Sequence, residues 1–254
     1  MKKILFVSDL DNTLLFSWKK SHLGDFCVEK KDGFEQGFMT EFTFNSLEII
    51  NKITTFIPVT SRSLSQYQRI DWNDNQLPQY VLVANGGILL KGGKIDLEWL
   101  KESQELVKPY KKEMYNLCDS FRNKEEYKIC RIVDDMYVYV HCFNDLQVAD
   151  CVNQHKTPNQ FEVVSQGRKV YFFPPAINKG IAVERLKERI TYEKMIVAGD
   201  SIIDLSMLQK SDVAIIPKEL ESSEWYDSVM VDVCDEIIFS DYICKQVLKY
   251  CHDR

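Results

Sequence analysis

The stretch Ile4-Leu5-Phe6-Val7, followed by Ser8-Asp9-Leu10-Asp11-Asn12-Thr13, constrains this chain more than any other. Four consecutive apolar residues bounded by polar ones read as a parallel strand buried on both faces, running out of a sheet into a loop. The two aspartates then sit at the carboxyl end of the strand, where α/β folds bind ligands. Residues two apart in an extended backbone point to the same side, so Asp9 and Asp11 can serve one reacting centre. The same residues also suit a plain turn, with Asp11-Asn12 as an Asx turn and Thr13 as a helix cap. This segment alone leaves both readings open.

The pattern that follows alternates. Ser17 to Met39 has no long period, and Phe26 to Glu29 with Lys31-Asp32-Gly33 reads as a strand and turn in a flap beside the first strand's end. Thr40 can cap a helix through Phe44, Leu47, Ile50 and Ile53. Phe56 to Val59 is a second core strand ending in Thr60-Ser61-Arg62-Ser63, and a helix through Tyr67 and Ile70 follows. Tyr80 to Ala84 is a third, ending in Asn85-Gly86-Gly87, where glycines permit close backbone approach or positive φ. Strand, helix, strand, helix, strand marks a doubly wound parallel sheet.

After Gly87 the rhythm changes. Ile88 to Ile95 reads as a hairpin and Trp99 to Phe121 as a helix, with Pro109 as a place to kink or restart it. Strands at Lys128 to Val133 and Met136 to Cys142, a helix from Asn144 to His155, and strands at Phe161 to Ser165 and Lys169 to Phe173 follow. Residues 89–174 are therefore expected to form an inserted α+β domain with an antiparallel sheet, between core segments 1–88 and 175–254. The core pattern resumes with a helix from Asn178-Lys179-Gly180, a strand Met195 to Ala198 ending in Gly199-Asp200-Ser201-Ile202-Ile203-Asp204, a strand Val213 to Ile216, a short strand near Val229 to Val233 and a closing helix from Ser240.

With 254 residues, 45% of them hydrophobic, the chain can fill such a core. Its net charge of -6, without a dense run of Lys and Arg, argues against nucleic acid as a partner. Met1-Lys2-Lys3 and the apolar run after it stop far short of an export segment, and no stretch could span a bilayer. Eight cysteines show neither CxxC nor paired Cys/His spacing, which fits reduced thiols in a cytoplasmic protein. Whether the chain is a monomer or a homodimer is left open.

Four strand ends thus carry Asp9 and Asp11, Thr60, Asn85, and Asp200 with Asp204, and Lys179 opens a helix. Singly each has an ordinary explanation: a cap, a turn, a surface lysine. Together, carboxylates from two strands can hold a hard divalent cation, and Mg²⁺ takes a few carboxylate or carbonyl oxygens plus water and substrate phosphate. A carboxylate is a competent nucleophile towards phosphorus once the phosphoryl charge is offset.

Asp9-Leu10-Asp11-Asn12-Thr13, Thr60, Lys179 and Gly199-Asp200-Ser201-Ile202-Ile203-Asp204 resemble, in order, the four motifs of the haloacid dehalogenase superfamily of phosphohydrolases. The resemblance implies that Asp9 attacks phosphorus and that Asp11 protonates the leaving oxygen and later activates water. It implies Mg²⁺ on Asp9, the Asp11 carbonyl and Asp200, with Asp204 in support, and phosphoryl oxygens on Thr60 and Lys179. The insertion point, between Asn85-Gly86-Gly87 and Asn178-Lys179-Gly180, is similar to the Cof-like and sucrose-phosphatase-like groups, whose cap selects the substrate. A nearer likeness, in Gly37 to Glu41, Pro58 to Arg62 with Gln66 to Arg69, Val83 to Gly87 and Gly167 to Lys169, is to phosphatase-like proteins encoded with tellurite-resistance operons. Two departures stand out: Ile203 where many Cof-like proteins have Asn, and Ser61 in place of a frequent Gly.

For a small phosphorylated metabolite (sugar phosphate, nucleotide or phosphoribosyl compound), Ser61, Arg62, Asn85, Gly86, Arg131 and Arg168 are the candidate binding residues. Arg131, Asp134-Asp135 and Arg168 have a bland reading as solvated charges on a sheet. Tyr137, Tyr139 and Phe143 are expected to pack the sheet, His141 to be a packed strand residue and His22 to lie at the surface. A Mg²⁺-dependent phosphatase is the expectation. A phosphomutase sharing the aspartyl-phosphate, and a metal- or phosphate-binding regulatory protein without turnover, are its rivals.

Overall fold

A computed structural model describes residues 4–22, 24–73, 76–122, 127–154, 160–221, 225 and 228–252. His155, the expected end of one helix, lies outside the described residues.

Strand β1 (Ile4–Ser8) is buried throughout, as its unbroken apolar run requires. After it, β2 (Phe16–Ser17), β3 (Phe26–Lys31) and β4 (Phe34–Met39) form a small antiparallel sheet, the flap. Helix α1 (Glu41–Ile53) starts at Thr40, whose hydroxyl accepts the Thr43 N–H at 3.0 Å. Strand β5 (Thr55–Pro58) then pairs parallel with β1, and α2 (Leu64–Tyr67) is a single turn closed by a capping box between Ser63 and Gln66.

Strand β6 (Tyr80–Val83) lies beside the end of β5, with Thr60 N–H donating to the Leu82 carbonyl at 2.9 Å. It turns through Asn85 and Gly86 into β7 (Ile88–Lys91), which pairs antiparallel with it and with β8 (Lys94–Ile95) on its other side. Gly86 has φ +91°, and a Cβ there would lie 2.2 Å from the Cβ of Ala182, so this turn requires glycine on both counts.

Helix α3 (Leu97–Val107) belongs with the core rather than with the insert expected from residue 89 onward. Its Trp99 is fully buried, donates its indole N–H to the Gly86 carbonyl at 3.0 Å, and lies 3.8 Å beneath the guanidinium of Arg185. The fully buried indole thus finds its hydrogen-bond partner on the core side. The long helix expected from Trp99 to Phe121 is interrupted at Lys108–Tyr110, because Pro109 can only begin a new turn.

From α4 (Lys111–Arg122) the chain builds a separate layer of β9 (Tyr127–Val133), β10 (Tyr137–Cys142), α5 (Asp145–Gln154), β11 (Glu162–Gln166) and β12 (Lys169–Phe173). The sheet is antiparallel in the order β11-β12-β10-β9. Its two faces follow strand parity. Cys130, Val138, Val140 and Phe172 pack with Cys118, Phe121 and Cys151 of the two helices. Arg131, Tyr137, Tyr139, Lys169 and Tyr171 occupy the other face.

Helix α6 (Lys179–Lys187) returns to the core, followed by β13 (Lys194–Ala198), the short α7 (Leu205–Leu208), β14 (Val213–Ile216), β15 (Met230–Val233) and α8 (Phe239–His252). The core sheet runs β15-β14-β13-β1-β5, all parallel. One side of it buries Leu5, Val7, Ile57 and Val197 with Ala182, Leu186 and Met207; the other buries Ile4, Phe6, Phe56 and Ile196 with Leu47, Ile50, Ile243 and Val247. Because β5 flanks β1 on one side and β13 on the other, the strand order reverses at β1. Its carboxyl end is the topological switch point, where a crevice opens.

Candidate active site

Sheet pairing carries Asp9 into that crevice. Its N–H donates to the Ala198 carbonyl at 2.9 Å, which sets it beside the loop after β13. Oδ1 of Asp9 accepts a hydrogen bond from Nζ of Lys179, and the same ammonium donates to Oδ1 of Asp204 at 2.6 Å. Lys179 stands at the first position of α6, after the Asn178 cap, so the helix start aims it at β1. The hydroxyl of Thr13 lies between Asp9 (3.3 Å) and Asp200 (3.1 Å). Oδ2 of Asp204 receives the backbone N–H groups of Asp200 (3.1 Å) and Ser201 (3.0 Å) and the Ser201 hydroxyl (3.0 Å). Both Asp204 oxygens are thereby engaged, one on Lys179 and one on the loop that carries Asp200.

Asp9, Asp200 and Asp204 bring one carboxylate oxygen each within 4.8 Å of one another. Three carboxyl groups share one ammonium, so with all three ionised this cluster carries two negative charges in excess. Burial pushes the Asp9 carboxyl well above its usual range, Lys179 pulls it back, and the neighbouring Asp204, Asp200 and Asp11 push it up again. Asp200 is pushed up to about 6 by burial and by Asp204. Burial alone would lower the Lys179 ammonium, yet Asp204 and Asp9 raise it, so it is charged at neutral pH. Excess negative charge, hard oxygen donors and carboxyls held above their usual range fit a divalent cation of the Mg²⁺ kind.

Asp11 is arranged differently. Its carboxylate takes both arms of Arg62, Nε at 2.8 Å and Nη2 at 2.7 Å. Burial works to raise it, but the hydrogen bonds and charge of Arg62 win and hold it below the usual carboxylate range. Arg62 also reaches Glu29 of the flap at 2.9 Å, and Arg69 reaches the other oxygen of Glu29 at 2.8 Å. Thr60 is fully buried at the end of β5, its hydroxyl accepting the Arg62 N–H at 3.1 Å.

Above Asp11 lies a cavity of about 400 Å³ between the core, the flap and the inserted sheet, lined among others by Ser61, Arg62, Arg131, Tyr139, Lys169 and Tyr171. The insert is fastened to the loop after β5: Tyr137 donates its hydroxyl to the Ser61 carbonyl, Asp134 accepts the Leu64 N–H at 2.7 Å, and Arg131 donates to Gln66 at 3.2 Å.

The whole architecture has known counterparts. It superposes on the sucrose-phosphatase of Synechocystis, solved with sucrose and phosphate, at TM-score 0.66 and 17% identity over 98% of each chain. A Thermoplasma acidophilum protein matches at TM-score 0.63 and 15% identity, over 99% of this chain and 98% of that one. A haloacid dehalogenase-like hydrolase from B. subtilis matches at TM-score 0.57 and 15% identity, over 98% and 99%. By sequence, residues 96–216 match the family described as haloacid dehalogenase-like hydrolase. The fold is that of a haloacid dehalogenase-like hydrolase. No curated protein sequence matches the chain.

On this haloacid dehalogenase-like frame, Asp9, Lys179, Asp200 and Asp204 meet at one point, and Asp11, Ser61, Arg62 and Arg131 line the cavity next to it. Three expected binding residues fall elsewhere. Asn85 is buried and donates to the Ile177 carbonyl at 3.0 Å, bracing the loop before α6. Gly86 is packed on Ala182, outside the cavity lining. Arg168 sits in the two-residue hairpin turn between Gln166 and Lys169, off the cavity face, whereas Lys169 is on it.

The tyrosines 137 and 139, expected only to pack the sheet, also line the cavity, as does Tyr171. Phe143 is exposed, and His141 is half-buried opposite Lys169. Glu29, Gln66, Arg69 and Lys169 escaped the sequence reading as site residues. For Lys169 the signal was present in the alternation Lys169, Tyr171, Phe173, which shares a face with Tyr137 and Tyr139.

Proposed function

We propose that this protein is a Mg²⁺-dependent phosphatase that hydrolyses a small phosphorylated metabolite, of the sugar-phosphate kind, through an aspartyl-phosphate on Asp9. The observation that carries the reading is the buried cluster in which Lys179 bridges Asp9 and Asp204 while Asp200 stands beside them. The closer likeness to proteins encoded with tellurite-resistance operons belongs to this same reading.

Asp9 is the nucleophile, and Lys179 holds its carboxylate towards the entering phosphoryl group while supplying positive charge to that group's oxygens. Asp9 and Asp200, with the backbone carbonyl of Asp11, would hold Mg²⁺, which when bound offsets the phosphoryl charge. Asp204 sets the position of Lys179 and of the Asp200 loop. Thr60 stands at the end of β5, ready to receive phosphoryl oxygens through its buried hydroxyl. Asp11 faces the cavity, on the side where the leaving group must sit. To act as acid it gives up its pair with Arg62, takes a proton from solvent water and passes it to the leaving oxygen; afterwards, ionised again, it draws a proton from a second water, whose oxygen attacks phosphorus, frees the Asp9 carboxylate and leaves as phosphate. The inserted sheet roofs the cavity and keeps bulk water from Asp9.

Phosphate release from a panel of sugar phosphates and nucleotides, with Mg²⁺, tests this. We expect release by the native protein, none by Asp9→Asn and none after EDTA. Undiminished turnover by Asp9→Asn would sink the nucleophile assignment, and isomerised phosphate ester in place of free phosphate would make the protein a mutase.

A further inference from the structure

The charges lining the cavity do not match those of the chain as a whole. The protein is net -6, yet Asp11 and Glu29 in the lining face Arg62, Arg69, Arg131 and Lys169. Arg62 and Arg69 are already paired with Asp11 and Glu29. Among the described residues neither Arg131 nor Lys169 closes an ion pair; Arg131 acts on Asp134 and Lys169 on Asp11 only at longer range, and both are exposed.

Both come from the inserted sheet. The register sets Arg131 opposite Tyr139 and Tyr139 opposite Tyr171, with Lys169 two residues before Tyr171 on the same face. The Arg131 guanidinium lies 5.5 Å from the ring centre of Tyr139, and the rings of Tyr139 and Tyr171 are 5.4 Å apart. Two cations thus flank an aromatic floor. The reacting phosphoryl group is already served by Lys179 at Asp9. Arg131 and Lys169 share the cavity with Asp11, which faces the leaving oxygen. Their positive charge is aimed at what leaves.

Resting on the phosphatase reading above, we propose that the substrate is a phosphomonoester whose leaving group carries a second anionic group, a carboxylate or another phosphate. Arg131 and Lys169 hold that group while Tyr139 and Tyr171 cover the carbon skeleton between the two anions. A neutral sugar leaving group would leave both cations without a counter-charge in direct contact.

The test compares substrates that differ by one anion: glucose 1-phosphate with glucuronic acid 1-phosphate, and fructose 6-phosphate with fructose 1,6-bisphosphate. Binding to the Asp9→Asn protein with Mg²⁺ is measured by calorimetry, and phosphate release by the native protein is measured separately. A charge-assisted contact of this kind makes the doubly anionic member of a pair bind about 10- to 100-fold more tightly. Lys169→Gln and Arg131→Gln, both at exposed positions, should each bring that ratio towards one, and rising salt should narrow it. A gap for the carboxylate pair or for the bisphosphate pair tells which anion the site prefers, and either supports the proposal. Equal binding within both pairs overturns it, as does a Lys169→Gln protein that weakens both members of a pair alike, which would put Lys169 on the reacting phosphoryl group. A clear gap in binding with no phosphate release by the native protein would keep the anion subsite and refute the phosphatase reading.

Discussion

Replacing Lys179 by Met removes one ammonium and keeps the length of the side chain. In the native protein Nζ donates to Asp9 and, at 2.6 Å, to Asp204, with 2% of the lysine side chain exposed. The substitution turns a cluster two charges negative into one three charges negative and leaves Asp204 buried without its cation. Breaking a buried pair from one side costs about 3–5 kcal/mol. For a chain of this size that lowers Tm by roughly 6–20 °C, at about 2–4 °C per kcal/mol. Urea unfolding in EDTA is the assay. Mg²⁺ should narrow the deficit, since the more negative cluster binds it more tightly and therefore gains more at the same Mg²⁺ concentration; a protein held at 100 Kd gains about 2.7 kcal/mol. Adding Asp204→Asn to Lys179→Met should cost less than the sum of the two single losses, because the stranded carboxylate is the source of the penalty. A loss under about 1 kcal/mol for Lys179→Met, far below the cost of breaking a buried pair, or strict additivity in the double variant, would show that the three groups do not form the coupled unit described here.

Gly86→Ala should destabilise by about 2–4 kcal/mol in thermal melts, since its Cβ would meet Ala182 at 2.2 Å and its φ of +91° disfavours any L side chain; an unchanged Tm would mean the turn relaxes freely. Glu29→Gln removes the charge shared by Arg62 and Arg69 and should cost about 2–3 kcal/mol in urea titrations. Cleavage by protease within 24–39 should speed up as the flap loosens, and an unaltered rate would show that Glu29 does not hold it. Asp200, at about 6 in place of an ordinary 3.8, should make Mg²⁺ binding weaken as pH falls through 6, measurable by calorimetry at pH 5 and 7. The sign for stability is the reverse: without metal, the folded state binds the extra proton, so this group's contribution is present below pH 4 and is lost as pH rises to 6. Equal Mg²⁺ affinity at both pH values would take Asp200 out of the proposed metal site.

The parts of this site that lie on strand ends were legible along the chain. A run such as Ile4 to Val7 has few fates other than a doubly covered strand, and the polar residues after each such run had to appear at the carboxyl edge of one sheet. That is why the chain alone leads one to expect Asp9, Thr60 and Asp200 at one sheet edge, whereas the expectation of Lys179 beside them follows from the family resemblance and not from its helix start. The length of the insert was less legible. Leu97 to Val107 has the pattern of any amphipathic helix, and only the burial of Trp99 against Gly86 and Arg185 assigns it to the core.

By itself, then, the sequence determined the alternation of elements and the order of the chemical groups along the sheet edge. These depend on backbone periodicity and on chain order, both of which are written in the residues. Tertiary structure decided which groups touch. It paired Asp11 with Arg62, 51 residues away, brought Glu29 from the flap onto Arg62, and set Asn85 to brace a loop. It also chose Lys169 over Arg168. In a hairpin whose side chains alternate every residue, ending the turn one position earlier or later exchanges the face that each presents, and that choice is made by cross-strand pairing, not by the local sequence.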